Sequence, residues 1–179
     1  MKVEIVDDFL SSYYADRLVD ALSGIKVGEG MFPWTFTNGL NGKNYPGNFY
    51  FTQVLISNSK RYPNEFIELF YPILNQLQVP LNDVWRLKAN LYPFTHRRVH
   101  HLPHTDYEPD QGITTALYYV NTNNGVTIFD GKKTIKSKKN RVALFDGSNK
   151  HHSTTATDCN YRCTINIDYR KGVGRYPGT

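Results

Sequence analysis

The chain has 179 residues, 40% hydrophobic and 14% aromatic, which excludes a disordered tail or low-complexity spacer and fits one domain over residues 1–179. Two cysteines cannot build a disulfide framework, no apolar run approaches the roughly 18 residues of a membrane span, and Glu4, Asp7 and Asp8 stand where a signal peptide needs an apolar stretch; a cytoplasmic protein is expected. The charge of +5 is local, because Lys132, Lys133, Lys136, Lys138, Lys139 and Arg141 fall together without an acid and the remainder is close to neutral. That patch reads as a solvated hairpin with lysines guarding its edge, with an anionic partner, nucleic acid included, as the alternative.

In chain order, Val3 to Val6 predicts a short strand. A helix follows over 11–22, with Ser11 or Ser12 as cap, Tyr14, Leu18 and Leu22 as its stripe and Gly24 as its stop. Residues 25–48 are rich in Gly and Asn, and their composition suggests a loop whose part 37–48 closes over substrate. Phe49 to Ile56 reads as a strand. A second helix is expected from Pro63, with Phe66, Phe70, Ile73, Leu74 and Leu77 as its apolar stripe and a kink at Pro72.

From Trp85 the pattern becomes β: Trp85–Tyr92, Ile113–Val120, Val126–Phe129, Lys133–Ile135, Val142–Phe145 and Arg162–Tyr169. Asp130-Gly131 and Asp146-Gly147 carry the hairpin signal, since a type I′ turn needs positive φ. Two helices followed by six or more strands predict an α+β protein, a double-sheet barrel braced by helices on one side.

The chemistry is concentrated in the histidines. All six fall in two clusters, His96, His100, His101 and His104, then His151 and His152. His104-Thr105-Asp106 is the one His-x-Asp, and in an extended segment residues i and i+2 project from the same face, so both side chains can address one ion. A histidine at 151 or 152 would complete a two-histidine, one-carboxylate face, a set suited to non-haem Fe(II) with open coordination positions.

With its order of elements, the chain resembles the Fe(II)/2-oxoglutarate-dependent dioxygenases, in particular the prolyl-4-hydroxylase-like branch and its small phage-encoded members. The resemblance rests on Lys88-Ala89-Asn90-Leu91-Tyr92-Pro93, His104-Thr105-Asp106, Thr115 to Asn121, Gly125 to Phe129, Arg141 to Asp146, His151 and Arg162 to Asn166. It implies a double-stranded β-helix, a jelly-roll relative. It also implies Fe(II), 2-oxoglutarate and O2 as cofactor and co-substrates, and hydroxylation of a substrate C–H bond with release of succinate and CO2. A peptidyl residue such as proline, or a small molecule, would be the substrate. Within it, His104, Asp106 and a second histidine hold iron. The phage-type spacing, six residues after Phe145 and eleven before Arg162, selects His151; a ten-residue spacing to the arginine selects His152.

Arg162 would grip the distal carboxylate of 2-oxoglutarate, since a guanidinium offers a planar fork and stays charged when buried. A buried arginine of this kind also implies a buried partner. Tyr92 and Tyr119 are the candidates for further hydrogen bonds to the co-substrate, and Thr115, on the face of Tyr119, joins them. Cys163 reads as a buried thiol, and residues 96–101 as an exposed connection or a substrate entrance. The alternatives are a cupin-like metalloenzyme that does not use 2-oxoglutarate and a non-catalytic jelly-roll binding module.

Overall fold

Along Tyr161–Arg170 a polar set, Arg162, Thr164, Asn166 and Asp168, alternates with Cys163, Ile165, Ile167 and Tyr169, and all of these except Asn166 are buried. A strand covered on both faces belongs at the centre of a layered structure. The structure, a computed structural model, describes residues 2–24, 31–39, 48–130 and 133–174. Most of the stretch expected to act as a lid, and Gly131 and Lys132 of the basic hairpin, lie outside the described residues.

Eleven strands are formed among the described residues: β1 Val3–Val6, β2 Thr35–Asn38, β3 Phe49–Ser57, β4 Lys60–Arg61, β5 Val84–Pro93, β6 Ile113–Tyr119, β7 Val126–Phe129, β8 Lys133–Lys136, β9 Arg141–Asp146, β10 His151–Ser153 and β11 Tyr161–Arg170. The larger sheet runs β1-β9-β6-β11-β5-β3-β2 with β4 on β3, the smaller runs β10-β7-β8, and every pairing is antiparallel. One face of the larger sheet (Leu87, Ala89, Ala116, Tyr118, Val142, Leu144, Ile165, Ile167) packs on α1, Ser12–Leu22, and α2, Tyr71–Leu77. Its other face meets the smaller sheet through Leu117, Tyr119, Ala143, Phe145, Phe129 and Ile135. The α+β double-sheet architecture with helices on one side is the one expected. No helix among the described residues is long and apolar enough to cross a membrane.

Local departures have local causes. Ser11 stands at the N-cap of α1 in extended conformation, but its side chain makes no capping bond. The helix expected from Pro63 is two pieces. Asn64 accepts from the Phe66 amide at 2.8 Å and starts a 3-10 turn, Glu65–Phe70, and Pro72 begins α2, where its missing N–H costs nothing. Asp146-Gly147 is no hairpin, because there the chain crosses from β9 in one sheet to β10 in the other.

Half of the basic patch meets acids of the N-terminal segment. Arg141 donates through Nε and Nη2 to the two oxygens of Asp7 at 2.6 and 2.9 Å, Lys138 reaches Asp7 at 3.1 Å, and Lys139 pairs with Asp16. Lys133 donates to the Val3 carbonyl at 2.7 Å. The N-terminal segment thus brings its acids onto the hairpin that lacks them, and the bond from Arg141 holds the Asp7 carboxyl down at about 2.

Candidate active site

His104 lies outside the named strands, yet its N–H and C=O exchange hydrogen bonds of 2.9 Å with those of His151, the first residue of β10. Residues so paired stand directly opposite, with side chains on one face, and the two imidazole centroids are 4.7 Å apart. Two residues on, the amide of Asp106 donates to the Gly147 carbonyl at 3.1 Å, which ties the His-x-Asp segment to the crossing between the sheets. Gly147 is required there, because a Cβ on it would stand 2.7 Å from the Tyr107 ring.

In each histidine Nδ1 faces a carbonyl, Leu102 at 3.2 Å for His104 and Asn149 at 2.8 Å for His151. Nδ1 is therefore the donor and Nε2 keeps its lone pair. The Nε2 atoms lie 4.0 Å from Oδ1 and 3.6 Å from Oδ2 of Asp106. Oδ2 is buried without a hydrogen-bond partner. Among the described residues this is the one group of three His, Cys, Asp or Glu whose ligand atoms all lie within 4.8 Å of one another. Two lone pairs and an orphaned carboxylate oxygen facing one point form a donor set that fits a divalent cation. Burial, with His151 alongside, holds the His104 ring below its ordinary value, in the neutral form a metal needs.

Oδ1, the other oxygen of Asp106, accepts from Arg86 Nη2 at 2.8 Å, and Arg86 Nε donates to Asp168 at 2.5 Å. Tyr107 donates its hydroxyl to the same Asp168 oxygen at 3.0 Å, and the guanidinium lies 5.3 Å from the Tyr107 ring. Burial pushes Asp168 up, but Arg86 pulls against it. For Asp106 the same cation, helped by the imidazoles, outweighs burial and holds the carboxyl down. Arg86 thus freezes the Asp106 carboxylate with its second oxygen toward the histidines.

At the opposite end lies Arg162, 1% exposed. Its Nε donates to the Ser137 hydroxyl at 3.0 Å and Nη2 to that of Thr127 at 3.1 Å, and its guanidinium is flanked by Tyr92 and Tyr119, at 5.6 and 5.8 Å from the ring centres. Among the described residues no carboxylate pairs with it, against the expectation of a buried partner. Burial accordingly draws its affinity for the proton down. Space for the side chain comes from Gly125, where a Cβ would stand 2.5 Å from Arg162 Cδ.

Both ends open into one cavity of about 120 Å³, room for about four waters, lined by His104, Asp106, His151, Arg86, Tyr92 and Arg162 among others. Tyr92 faces it, and burial lifts its phenol to about 12. Tyr119 and Thr115 do not line it. The Tyr119 hydroxyl is spent on Thr127 at 2.9 Å, and Thr115 lies opposite Asp168, beyond the lining residues. His152 turns away, its ring 5.8 Å from that of His100. In the connection read as exposed, His101 is buried, bonded to Ser153 Oγ at 2.8 Å, and held down at about 3. Arg86, Tyr107 and Gly125 carried no sequence signal of their own.

No protein-family model and no curated protein sequence matches the chain. Solved structures do match. An oxidoreductase of the 2OG-Fe(II) oxygenase family from Burkholderia pseudomallei aligns with TM-score 0.62 and 10% identity, over 98% of this chain and 89% of that one. The viral collagen prolyl hydroxylase of Paramecium bursaria Chlorella virus-1, in its 2OG complex, aligns at 0.57 and 16%, over 95% and 97%. A Trichoplax adhaerens prolyl hydroxylase, in complex with a hypoxia inducible factor peptide fragment, aligns at 0.56 and 17%, over 94% and 83%. The fold is that of the 2OG-Fe(II) oxygenases. In this double-stranded β-helix the smaller sheet of the chain, with β10 and β7, supplies His151 and Thr127, and the larger supplies Arg86, Tyr92 and Arg162.

Proposed function

We propose that residues 1–179 form one cytoplasmic domain, a non-haem Fe(II)- and 2-oxoglutarate-dependent dioxygenase that hydroxylates a C–H bond of an amino-acid residue, a peptidyl proline being the first substrate to test. The observation that carries the reading is a single cavity with opposite unmet needs at its ends. At one end is a donor set of two imidazoles and an orphaned, buried carboxylate oxygen, at the other a buried guanidinium with no carboxylate partner among the described residues. A dianionic keto acid lying between a divalent metal and Arg162 answers both. A cupin-like enzyme without 2-oxoglutarate has no use for such an arginine.

In this reading His104 Nε2, His151 Nε2 and Asp106 hold the iron, and Arg86 keeps Asp106 from rotating. Arg162 takes the distal carboxylate, with Ser137, Thr127 and the two tyrosine rings fixing the plane of its fork. When bound, the iron and 2-oxoglutarate supply the oxidising power, and succinate and CO2 are the by-products. The peptide held by the Trichoplax enzyme supports a peptide among the candidate substrates.

The test is conversion of 2-oxoglutarate to succinate by the Fe(II)-loaded protein, alone and with a panel of proline-containing peptides and amino acids. Succinate formation that disappears in Asp106→Ala is the expected result. Succinate formed equally by Asp106→Ala, or not formed at all by the wild type, would contradict it.

A further inference from the structure

Beside the triad and Arg162 the cavity holds a third cation. Lys88 follows Arg86 by two residues on β5 and precedes Tyr92 by four, so along the strand it stands about 7 Å from the Arg86 rung and about 13 Å from the Tyr92 rung. Its ammonium donates to the Tyr50 hydroxyl at 3.1 Å and lies 5.0 Å from that ring. No carboxylate stands within ion-pair distance of it among the described residues. Tyr50 belongs to β3, on the side of β5 away from β11 and Arg162, and stacks on Tyr92 at 5.5 Å.

The charges leave Lys88 over. Arg86 is matched by Asp106 and Asp168. In the reading above, Arg86, Arg162, Lys88 and a divalent iron together outweigh Asp106, Asp168 and a dianionic co-substrate by one positive charge. With Arg162 taken by the distal carboxylate, Lys88 is the cation that faces no carboxylate among the described residues. Its surroundings are donors as well. Opposite Lys88 on β11, Asn166 accepts from Asn90 Nδ2 at 2.9 Å through its oxygen, which leaves its own amide N–H groups for the cavity, and Tyr50 accepts from Lys88 and keeps its hydroxyl proton to give. Lys88 in contact with the Tyr50 hydroxyl, and Asn166 across from Lys88 on β11, put an ammonium, a phenol and an amide on the cavity wall, a donor set complementary to an anion.

We infer that Lys88, Tyr50 and Asn166 form a subsite for a carboxylate of the substrate, so that the substrate class is an amino acid or peptide that carries a free carboxylate beside the reacting residue. The inference rests on the 2-oxoglutarate reading of the cavity. The carboxylate has two sources, the free α-carboxylate of an amino acid or an acidic side chain of a peptide.

Propionate titrated calorimetrically into protein loaded with Zn(II) and 2-oxoglutarate tests the subsite without turnover. Saturable binding is expected, weakened about tenfold or more in Lys88→Gln, less in Tyr50→Phe, and kept in Lys88→Arg, which also controls for folding. The affinity for 2-oxoglutarate should be the same in Lys88→Gln as in the wild type. Absence of propionate binding, binding indifferent to Lys88→Gln, or a loss of 2-oxoglutarate affinity in that variant would each overturn the subsite. Wild-type protein that fails to bind 2-oxoglutarate contradicts the functional reading instead, and propionate titrated alone then still decides whether Lys88 holds a carboxylate. The source follows from succinate release with L-proline against L-prolinamide, and with capped Glu-Pro-Gly against Gln-Pro-Gly. The acidic member of one pair should stimulate release about tenfold more than its amide, and equal stimulation within both pairs overturns the inference.

Discussion

The two ends of the cavity bury their charges in opposite ways. Around Asp106 every charge has an opposite neighbour: Arg86 lies between Asp106 and Asp168, and Tyr107 closes the network. Around Arg162 there are two hydroxyls and two ring faces and no carboxylate among the described residues. Removing a member of a paired network strands a buried charge, whereas removing a lone buried charge relieves a desolvation cost. The first arrangement is rigid by pairing, and the second is the one the proposed co-substrate would complete.

Stability separates the ends most sharply. Arg86→Met orphans two carboxylates and should cost about 3–5 kcal/mol in denaturant unfolding of the ligand-free protein. Arg162→Met should leave the same measurement unchanged or raised, and a comparable loss in both variants would erase the contrast.

Acid acts next. The buried His101 ring titrates at about 3 in the folded protein against 6.5 in the unfolded chain. The unfolded state therefore takes up a proton below pH 6.5 that the native state refuses, so stability falls as the pH drops from 6.5 toward 3, by about 1.4 kcal/mol per pH unit. Urea unfolding between pH 6 and 4 should approach this slope, and His101→Gln should reduce it, leaving the smaller share of His104.

Gly125→Ala tests the guanidinium end by displacement. A Cβ at 2.5 Å from Arg162 Cδ moves the fork, and 2-oxoglutarate affinity should fall about tenfold while metal affinity stays the same. The smallest effect belongs to the surface. Asp7 is depressed from 3.8 to about 2, so its contribution is present above pH 3.8 and lost as the pH falls toward 2. Its side chain is 36% exposed, so solvent screening leaves less than about 1 kcal/mol, and Asp7→Asn should trim only the acid limb of the stability curve.

The parts of this arrangement that were legible in the sequence are those with a period or a cluster. Alternation along 162–169 placed Arg162 on a polar face backed by core, and the two histidine groups marked the other end. The phage-type spacing favoured His151 over His152, but adjacent residues in a strand point to opposite faces, and the pairing of His151 with His104 is what says which face looks inward. β10, with three residues and two of them histidines, has no apolar pattern to announce it. The Arg86 network joins residues 20 and 82 positions apart, and Gly125 matters only through a side chain 37 positions away. Contacts of that kind have no local signature. The acids that meet Lys138, Lys139 and Arg141 of the cationic run, Asp7 and Asp16, arrive from the N-terminal segment and were likewise not legible from the run itself.

The central claim is that one keto acid spans both ends. Anaerobic titration of the Fe(II)-loaded protein with 2-oxoglutarate, read from the visible charge-transfer band, tests it directly. The account predicts a band in the wild type, none in Asp106→Ala at any concentration, and in Arg162→Met the same band displaced to about a hundredfold higher 2-oxoglutarate. A band that forms with unchanged affinity in Arg162→Met would contradict it.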